Sequence, residues 1–112
     1  LKTIATDENG KLGVRAGRFV CLRRATDISQ GEDFIPAPEI GSHKEGRFGT
    51  HHAHDAWRVF NTMGYDLDLF SSAVKLPTQY MHLLHFSVDL ANKTSKSQIV
   101  ERLAANPRVA LT

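Results

Sequence analysis

Three histidines are the residues of this sequence best suited to chemistry near neutral pH. An imidazole titrates near pH 6.5, so it can take up and return a proton under mild conditions. His51 and His52 are adjacent and follow Thr50 directly, whereas His82 comes shortly after Pro77. Two imidazoles beside a hydroxyl can hold an anion such as phosphate, and a single positioned imidazole can act as a general base. The elements that would position these side chains follow from the surrounding pattern.

The stretch from Leu67 to Leu90 predicts two strands, the second of which would carry His82. The first strand has apolar side chains on both faces, which is typical of an interior strand covered on two sides. One face carries Phe70, Val74 and Leu76, and the other carries Leu67, Leu69 and Ala73. In the second strand, alternation places His82 on the apolar face, together with Leu84, Phe86, Val88 and Leu90. We therefore expect His82 to be buried, which would oppose its protonation, although a histidine that only fills the core would show the same pattern.

A short amphipathic helix is expected from Ala53 to Gly64, which would end it. Its apolar stripe consists of Ala56, Val59, Phe60 and Met63. A helix N-terminus presents free N–H groups and a partial positive charge, so the preceding stretch from Thr50 to His52 would form a phosphate site. The alternative is that Thr50 or Asp55 simply caps the helix while both histidines face solvent.

An earlier strand is expected from Arg18 to Arg24, where apolar and β-branched residues are dense. Cys21 lies in its middle, and we expect the thiol to fill the core, because only the arginines at the end of the strand would lower its pKa. From Thr26 to Thr50 the sequence is irregular and rich in Gly and Pro, and such long loops tend to be functional or disordered. The chain contains no complete nucleotide-binding fingerprint.

The C-terminal part predicts a capped helix and a final strand. Ser95 and Gln98 match a capping box, and Pro107 disfavours helix at the residue before it. The buried stripe of this helix would consist of Ile99, Val100 and Leu103. Residues Arg108 to Thr112 are then expected to form a strand. The order of elements predicts an α+β fold in which helices cover a mixed or antiparallel sheet.

Composition narrows the class of protein. The chain has 112 residues, 41% hydrophobic and 23% charged, as expected for a single globular domain. A net charge of +2 without a Lys/Arg run argues against nucleic acid, and no apolar run approaches the length that spans a membrane. A single cysteine fits a reducing, cytoplasmic location. Because the chain begins at Leu1 rather than Met and ends at Thr112 after an apolar run, we expect it to be a piece of a longer protein.

The histidines also raise the question of a zinc site. The segment THHAHD from Thr50 to Asp55 resembles the T-H-x-H-x-D-H ligand motif of metallo-β-lactamase-type hydrolases, but it is out of register with that motif. Zinc needs three or four converging ligands. His82 and His85, three positions apart on a strand, would point to opposite faces. We therefore expect no metal.

Four motifs carry a resemblance to a known family. They are Arg23-Arg24 at the end of a strand, Ile35-Pro36-Ala37-Pro38, Thr50-His51-His52-Ala53-His54-Asp55, and the run AVKLPTQYMHLLHFSVDL followed by the capped helix and NPRVALT. In this order and with this spacing, the chain from Phe19 onward resembles the catalytic domain of archaeal-type phosphorylating glyceraldehyde-3-phosphate dehydrogenases. It departs from the family at four positions, where Ala53 replaces Gly, His54 replaces Pro, and Gln79 and Tyr80 replace Thr and Leu.

The resemblance implies an oxidoreductase that oxidises glyceraldehyde 3-phosphate with NAD or NADP, through a thioester, and uses inorganic phosphate to form 1,3-bisphosphoglycerate. It implies that His82 is the general base. It also implies that the substrate phosphate is bound at His51, His52 and Ala53. Arg24, with Arg23 beside it, would contact the nicotinamide nucleotide.

The resemblance also implies what this chain lacks. The nucleophilic cysteine, in an S-C-N-T-T segment, and the Rossmann domain would lie upstream of Leu1. We therefore expect residues 1–112 to be a single catalytic-domain fragment that is inactive alone, from a parent protein that forms a homo-oligomer, typically a tetramer. Two alternatives remain open: a non-catalytic binding or assembly module with the same fold, and a His-rich zinc hydrolase.

Overall fold

The fold is described from a computed structural model, which covers residues 1–25, 38–78 and 82–112. In this part of the chain a four-stranded sheet is combined with three α-helices, which confirms the predicted α+β class. The elements in chain order are α1 (Lys2–Ala5), β1 (Val14–Arg24), β2 (Glu39–Ile40), a 3₁₀ helix (Gly46–Phe48), α2 (His51–Asn61), β3 (Asp68–Leu76), β4 (His82–Leu90) and α3 (Lys96–Ala104). None of the described helices is long and apolar enough to cross a membrane.

The sheet has the strand order β2-β3-β1-β4, so β3 lies in its interior. β3 runs antiparallel to β2, with Glu39 opposite Lys75 and Ile40 opposite Val74. Alternate residues of β3 are buried, namely Leu69, Ser71 and Ala73. Its remaining inner residues are half-buried, so the prediction of an interior strand with two occupied faces is confirmed.

The chain divides into two compact units, and residues 1–16 and 88–112 form the first. In this unit the Arg102 guanidinium on α3 donates to the Ile4 carbonyl on α1 at 2.8 Å. A turn is present at Gly10, whose φ of 78° is readily adopted only by glycine. The predicted capping box is confirmed as well, because Ser95 accepts from the Gln98 amide while the Gln98 side chain accepts from the Ser95 amide.

Residues 17–87 form the second unit, which contains every residue proposed above for the site. Its described core consists of Cys21, Ala25, Phe48, Ala53, Leu67, Leu69 and Ala73. Cys21 is 4% exposed, as expected for a core residue. Burial raises the pKa of its thiol, although the charge of Arg23 acts in the opposite direction. At near-neutral pH this thiol is therefore protonated and a poor nucleophile.

The predicted final strand at Arg108–Thr112 is wrong. These residues have no regular secondary structure. Instead, Asn106 ends the preceding segment in a turn: its side-chain oxygen accepts from the Arg108 amide at 3.0 Å, and its carbonyl accepts from the Val109 amide at 3.0 Å. An apolar, β-branched run favours a strand only where a neighbouring strand is available to pair with it.

Two of the predicted apolar stripes are only partly buried. Val59 on α2 is exposed, as is Met63, which lies just beyond the end of α2 at Asn61, and Val100 on α3 is exposed as well. The buried contact of α2 lies instead at its first turn, around Ala53. Helical periodicity predicts which side chains share a face, whereas burial also depends on the area of the surface that this face meets. Of the predicted long loop, residues 26–37 lie outside the described ranges, as do Gln79 and Tyr80.

Candidate functional site

The first turn of α2 carries the paired histidines, and β3 determines where it begins. The helix starts at His51 rather than Ala53, with Thr50 as an extended N-cap residue (φ −122°, ψ 164°). The Thr50 side chain does not cap the helix, contrary to the simple alternative; its hydroxyl lies 2.6 Å from the Ser71 hydroxyl. Ser71, on the buried face of β3, instead accepts a hydrogen bond from the Ala53 amide at 3.0 Å. The helix is therefore capped by a side chain from another element.

The backbone just before α2 lies directly against β3. Gly49 has a φ of 74°, which is strained for any residue with a Cβ. A Cβ at this position would clash with the Ser71 carbonyl oxygen and would lie 2.8 Å from two ring carbons of Phe70. Only glycine allows this approach, and the approach brings Thr50 within reach of Ser71.

His51 and His52 form a close pair at this helix start, with their ring centroids 4.1 Å apart. The His52 ring is half-buried, and its Nε2 atom is enclosed without a hydrogen-bond partner among the described residues. Burial lowers the pKa of His52, and the neighbouring His51, His82 and Arg23 lower it further, while Asp55 acts weakly in the opposite direction. His52 is therefore neutral in the resting protein, with one ring nitrogen that nothing described here satisfies.

His82 lies beside this pair, although the sequence separates them widely. Its ring centroid is 6.4 Å from that of His52, with the two rings nearly perpendicular. The expectation that His82 is buried is wrong, because the ring is exposed, as are Leu84 and Phe86 on the same strand. β4 stands at the end of the described sheet, so alternation determines the side chains that share a face but does not cover that face.

A cavity of about 310 Å³ adjoins the histidine pair. Arg23 lines it, together with Thr50, His51 and His52. Its further wall includes Lys75 and Glu39, whose side chains form an ion pair of 3.2 Å between β3 and β2. Because two positive side chains, Arg23 and Lys75, are set against one carboxylate, Glu39, the cavity favours an anionic ligand. Arg24, the last residue of β1, is not among the described residues that line it.

Similar proteins were found among curated sequences, whereas no family model matches the chain. The glyceraldehyde-3-phosphate dehydrogenase of Aeropyrum pernix is 32% identical over 108 residues, covering 92% of this chain and 28% of that protein. The enzyme of Methanobacterium bryantii is 30% identical over 108 residues, with 92% and 29% covered. That of Metallosphaera sedula is 34% identical over 97 residues, with 84% and 26% covered.

This chain is related to the archaeal glyceraldehyde-3-phosphate dehydrogenases. The resemblance predicted from the four motifs is thereby confirmed. The chain spans less than a third of the length of these relatives. Of the residues that the resemblance to glyceraldehyde-3-phosphate dehydrogenases singles out, Arg23, His51 and His52 line the cavity. His82 lies beside His52 but is not among the described residues that line the cavity. Ala53 is placed differently, because its side chain is buried and its amide is already bonded to Ser71.

Sequence reasoning from the dehydrogenase motifs missed two features. Ser71 is a polar residue on the buried face of β3, between Leu69 and Ala73, and its place in the alternation could have singled it out. His54 does not join the histidine pair; it bonds Glu45 at 2.8 Å and stacks on Phe48 at 4.9 Å. Within the described ranges, no three His, Cys, Asp or Glu side chains are placed to hold a metal ion.

Proposed function

We propose that this chain supplies the general base and the substrate-phosphate site of an NAD(P)-dependent, phosphorylating glyceraldehyde-3-phosphate dehydrogenase. The approach of His82 to His52, 6.4 Å between ring centroids, carries this proposal. A group suited to hold an anion and a group suited to move a proton lie within reach of one small phosphorylated molecule. The sequence similarity to archaeal glyceraldehyde-3-phosphate dehydrogenases supports the same proposal.

The phosphate would be held at the start of α2. The first amides of an α-helix have no intrahelical partner, and here the His51 and His52 amides come with their imidazoles on the same turn. Arg23 adds a fixed positive charge at the cavity. An anion placed there would favour protonated imidazole and would thus counteract the burial that lowers the pKa of His52. Glyceraldehyde 3-phosphate and inorganic phosphate both present the required chemistry.

His82 would act as the general base. As a thiol adds to the aldehyde carbon, the imidazole accepts the proton that is lost, and it can return that proton in a later step. The thiol would belong to a cysteine elsewhere in the complete protein, since Cys21 is buried and burial raises its pKa. His82 is exposed, so solvent can reach the ring, which suits a group that must be regenerated in every cycle.

The arginine pair at the end of β1 would hold a nicotinamide nucleotide, which would supply the hydride acceptor for the oxidation. Arg24, the last residue of β1, would contact the phosphate groups of this nucleotide, because a guanidinium binds phosphate oxygens through paired, charge-assisted hydrogen bonds. Arg23 lies beside it and lines the cavity. Both NAD and NADP carry the phosphate groups that such a contact needs.

The chain alone should oxidise no aldehyde. Purified chain is incubated with glyceraldehyde 3-phosphate, phosphate and NAD or NADP, and the formation of reduced cofactor is followed by absorbance. We expect no turnover above the rate without protein, because the single cysteine of the chain, Cys21, is a buried thiol and therefore a poor nucleophile. Turnover that disappears in Cys21→Ser would contradict the proposal and identify Cys21 as the nucleophile.

The role of His82 is tested in an active protein that contains this chain together with the cysteine and the nucleotide-binding domain. His82→Ala should lower kcat by about 10²–10⁴-fold, the usual contribution of a positioned general base. KM should change much less, because the base acts in the transition state. His85→Ala is the matched control, since His85 is exposed on the same strand and points to the other face.

The same variants separate catalysis from the alternative of a binding or assembly module. That alternative is favoured by exposed apolar residues on β4, because such residues can form a binding surface. They are Leu83, Leu84 and Phe86. It requires that His82→Ala and His85→Ala leave kcat equally unaffected while assembly is altered. Equal kcat values for the two variants would therefore reject the general-base role.

A further inference from the structure

Ser71 lies at the centre of the contacts that fasten the start of α2 to the sheet. It is 1% exposed, and its hydroxyl is the only polar side-chain group among the buried residues of β3. Three atoms of the helix start surround this hydroxyl: the Thr50 hydroxyl at 2.6 Å, the Ala53 amide nitrogen at 3.0 Å and the Thr50 carbonyl oxygen at 3.4 Å. A single side chain thus contacts the backbone on both sides of the two histidines.

The Ser71 hydroxyl uses most of its capacity to form hydrogen bonds. A serine hydroxyl can donate one hydrogen bond and accept two. Ser71 accepts from the Ala53 amide and forms a hydrogen bond with the Thr50 hydroxyl in which either oxygen can donate. Removing the Ser71 hydroxyl would therefore leave two buried groups without their partner. No other described residue accepts from the Ala53 amide. The position of the first turn therefore depends on this contact.

We propose that Ser71 is a positioning residue for the anion site: it occupies the Ala53 amide and holds the turn so that the His51 and His52 amides are left to bind the ligand. This inference rests on the proposed function, which places a phosphate at this turn. Among the described residues, nothing accepts a hydrogen bond from the His51 or His52 amide. The close approach of Gly49 to the Ser71 carbonyl fixes the same segment from the other side.

The test compares four variants of the chain by NMR, with inorganic phosphate as the probe. Ser71→Ala removes the hydroxyl, Ser71→Cys keeps its approximate size with a weak acceptor, and Ser71→Thr keeps the hydroxyl. Ser72→Ala is the matched control, because the neighbouring Ser72 is only half-buried and points to the other face. Histidine ring signals report phosphate binding, and hydrogen exchange of the Ala53 amide reports the capping contact directly. Circular dichroism selects a temperature at which each variant is folded.

We expect Ser71→Ala and Ser71→Cys to weaken phosphate binding by about fivefold, the usual effect of losing one hydrogen bond, and to speed exchange at Ala53. Ser71→Thr should restore both quantities, and Ser72→Ala should change neither. Wild-type affinity together with wild-type Ala53 exchange in folded Ser71→Cys would overturn the proposal, even where Ser71→Ala fails to fold.

Failure of the proposed function gives a different result. If the wild-type histidine signals do not respond to phosphate, the phosphate site is rejected. Exchange at Ala53 and the resting ring shifts of His51 and His52 then decide the role of Ser71 alone. If Ser71→Cys changes both the Ala53 exchange rate and the histidine ring shifts, Ser71 is supported as a positioning residue. If neither quantity changes, that role is overturned.

Discussion

The two elements that carry the candidate histidines are held very differently. The start of α2 is packed against β3 by a buried hydroxyl and by a glycine contact, and the His52 ring is half-buried there. β4 presents His82 at its first residue, and the side chains that follow it are exposed on both faces of the strand. The proposed anion site is thus held by packing within this chain, whereas the residue proposed as the general base lies on an open surface.

His52 and His82 also differ in their electrostatic surroundings. Burial, followed by the charges of His51, His82 and Arg23, lowers the pKa of His52, and the proposed anion would act in the opposite direction. His82 contributes to that effect through its own charge when it is protonated. A half-buried imidazole and an exposed imidazole are suited to the two different roles that we propose for them.

Truncating an apolar side chain in each region should show the largest difference. Leu69 on β3 is 1% exposed and Leu84 on β4 is 51% exposed. Leu69→Ala should reduce the free energy of unfolding by about 2–5 kcal/mol, because it leaves a cavity in the core. Leu84→Ala should cost less than about 1 kcal/mol. Urea denaturation of both variants measures this, and equal losses would contradict the view that β4 is held more loosely than β3.

Adding a methyl group at the two ends of α2 should give the next largest difference. Gly49→Ala combines a strained positive φ with a clash against β3, so it should cost about 2–4 kcal/mol. Gly64→Ala, at the other end, has a comparable φ of 82° but meets nothing within 4 Å. Its expected cost is about 1 kcal/mol, from backbone strain alone. If the melting temperature falls equally in both variants, the close approach of Gly49 to β3 adds nothing to the cost of the substitution, which would contradict this prediction.

The smallest effect concerns pH. The pKa of His52 is lowered in the folded chain relative to about 6.5 for an unperturbed imidazole, so below that pH the unfolded chain binds more protons. Stability is therefore expected to be highest above pH 6.5 and to decline as the pH falls through the lowered pKa. His52→Gln should reduce this decline, while His85→Gln on exposed β4 serves as the comparison. Denaturation midpoints between pH 7.5 and 5 measure it, and an identical decline in His52→Gln would exclude His52 as its source.

Much of the local structure was predictable because it depends on neighbours within one element. Alternation over Leu67–Leu90 identified both strands and the residues that share each face, and the Ser95–Gln98 spacing identified the capping box of α3. The order of the motifs was sufficient to indicate kinship with archaeal glyceraldehyde-3-phosphate dehydrogenases. These features were recognisable without knowing which elements lie against each other.

Only the tertiary structure decided which faces are covered and which side chains meet. Burial of His52 and exposure of His82 depend on elements remote in sequence, so a periodic pattern could not distinguish the two. The cap at Ala53 comes from Ser71, eighteen positions away along the chain, beyond the reach of any local capping rule. A side chain's direction is set by its own helix or strand, but its solvation and its partners are set by the surface brought against it, and that surface exists only once the chain has folded.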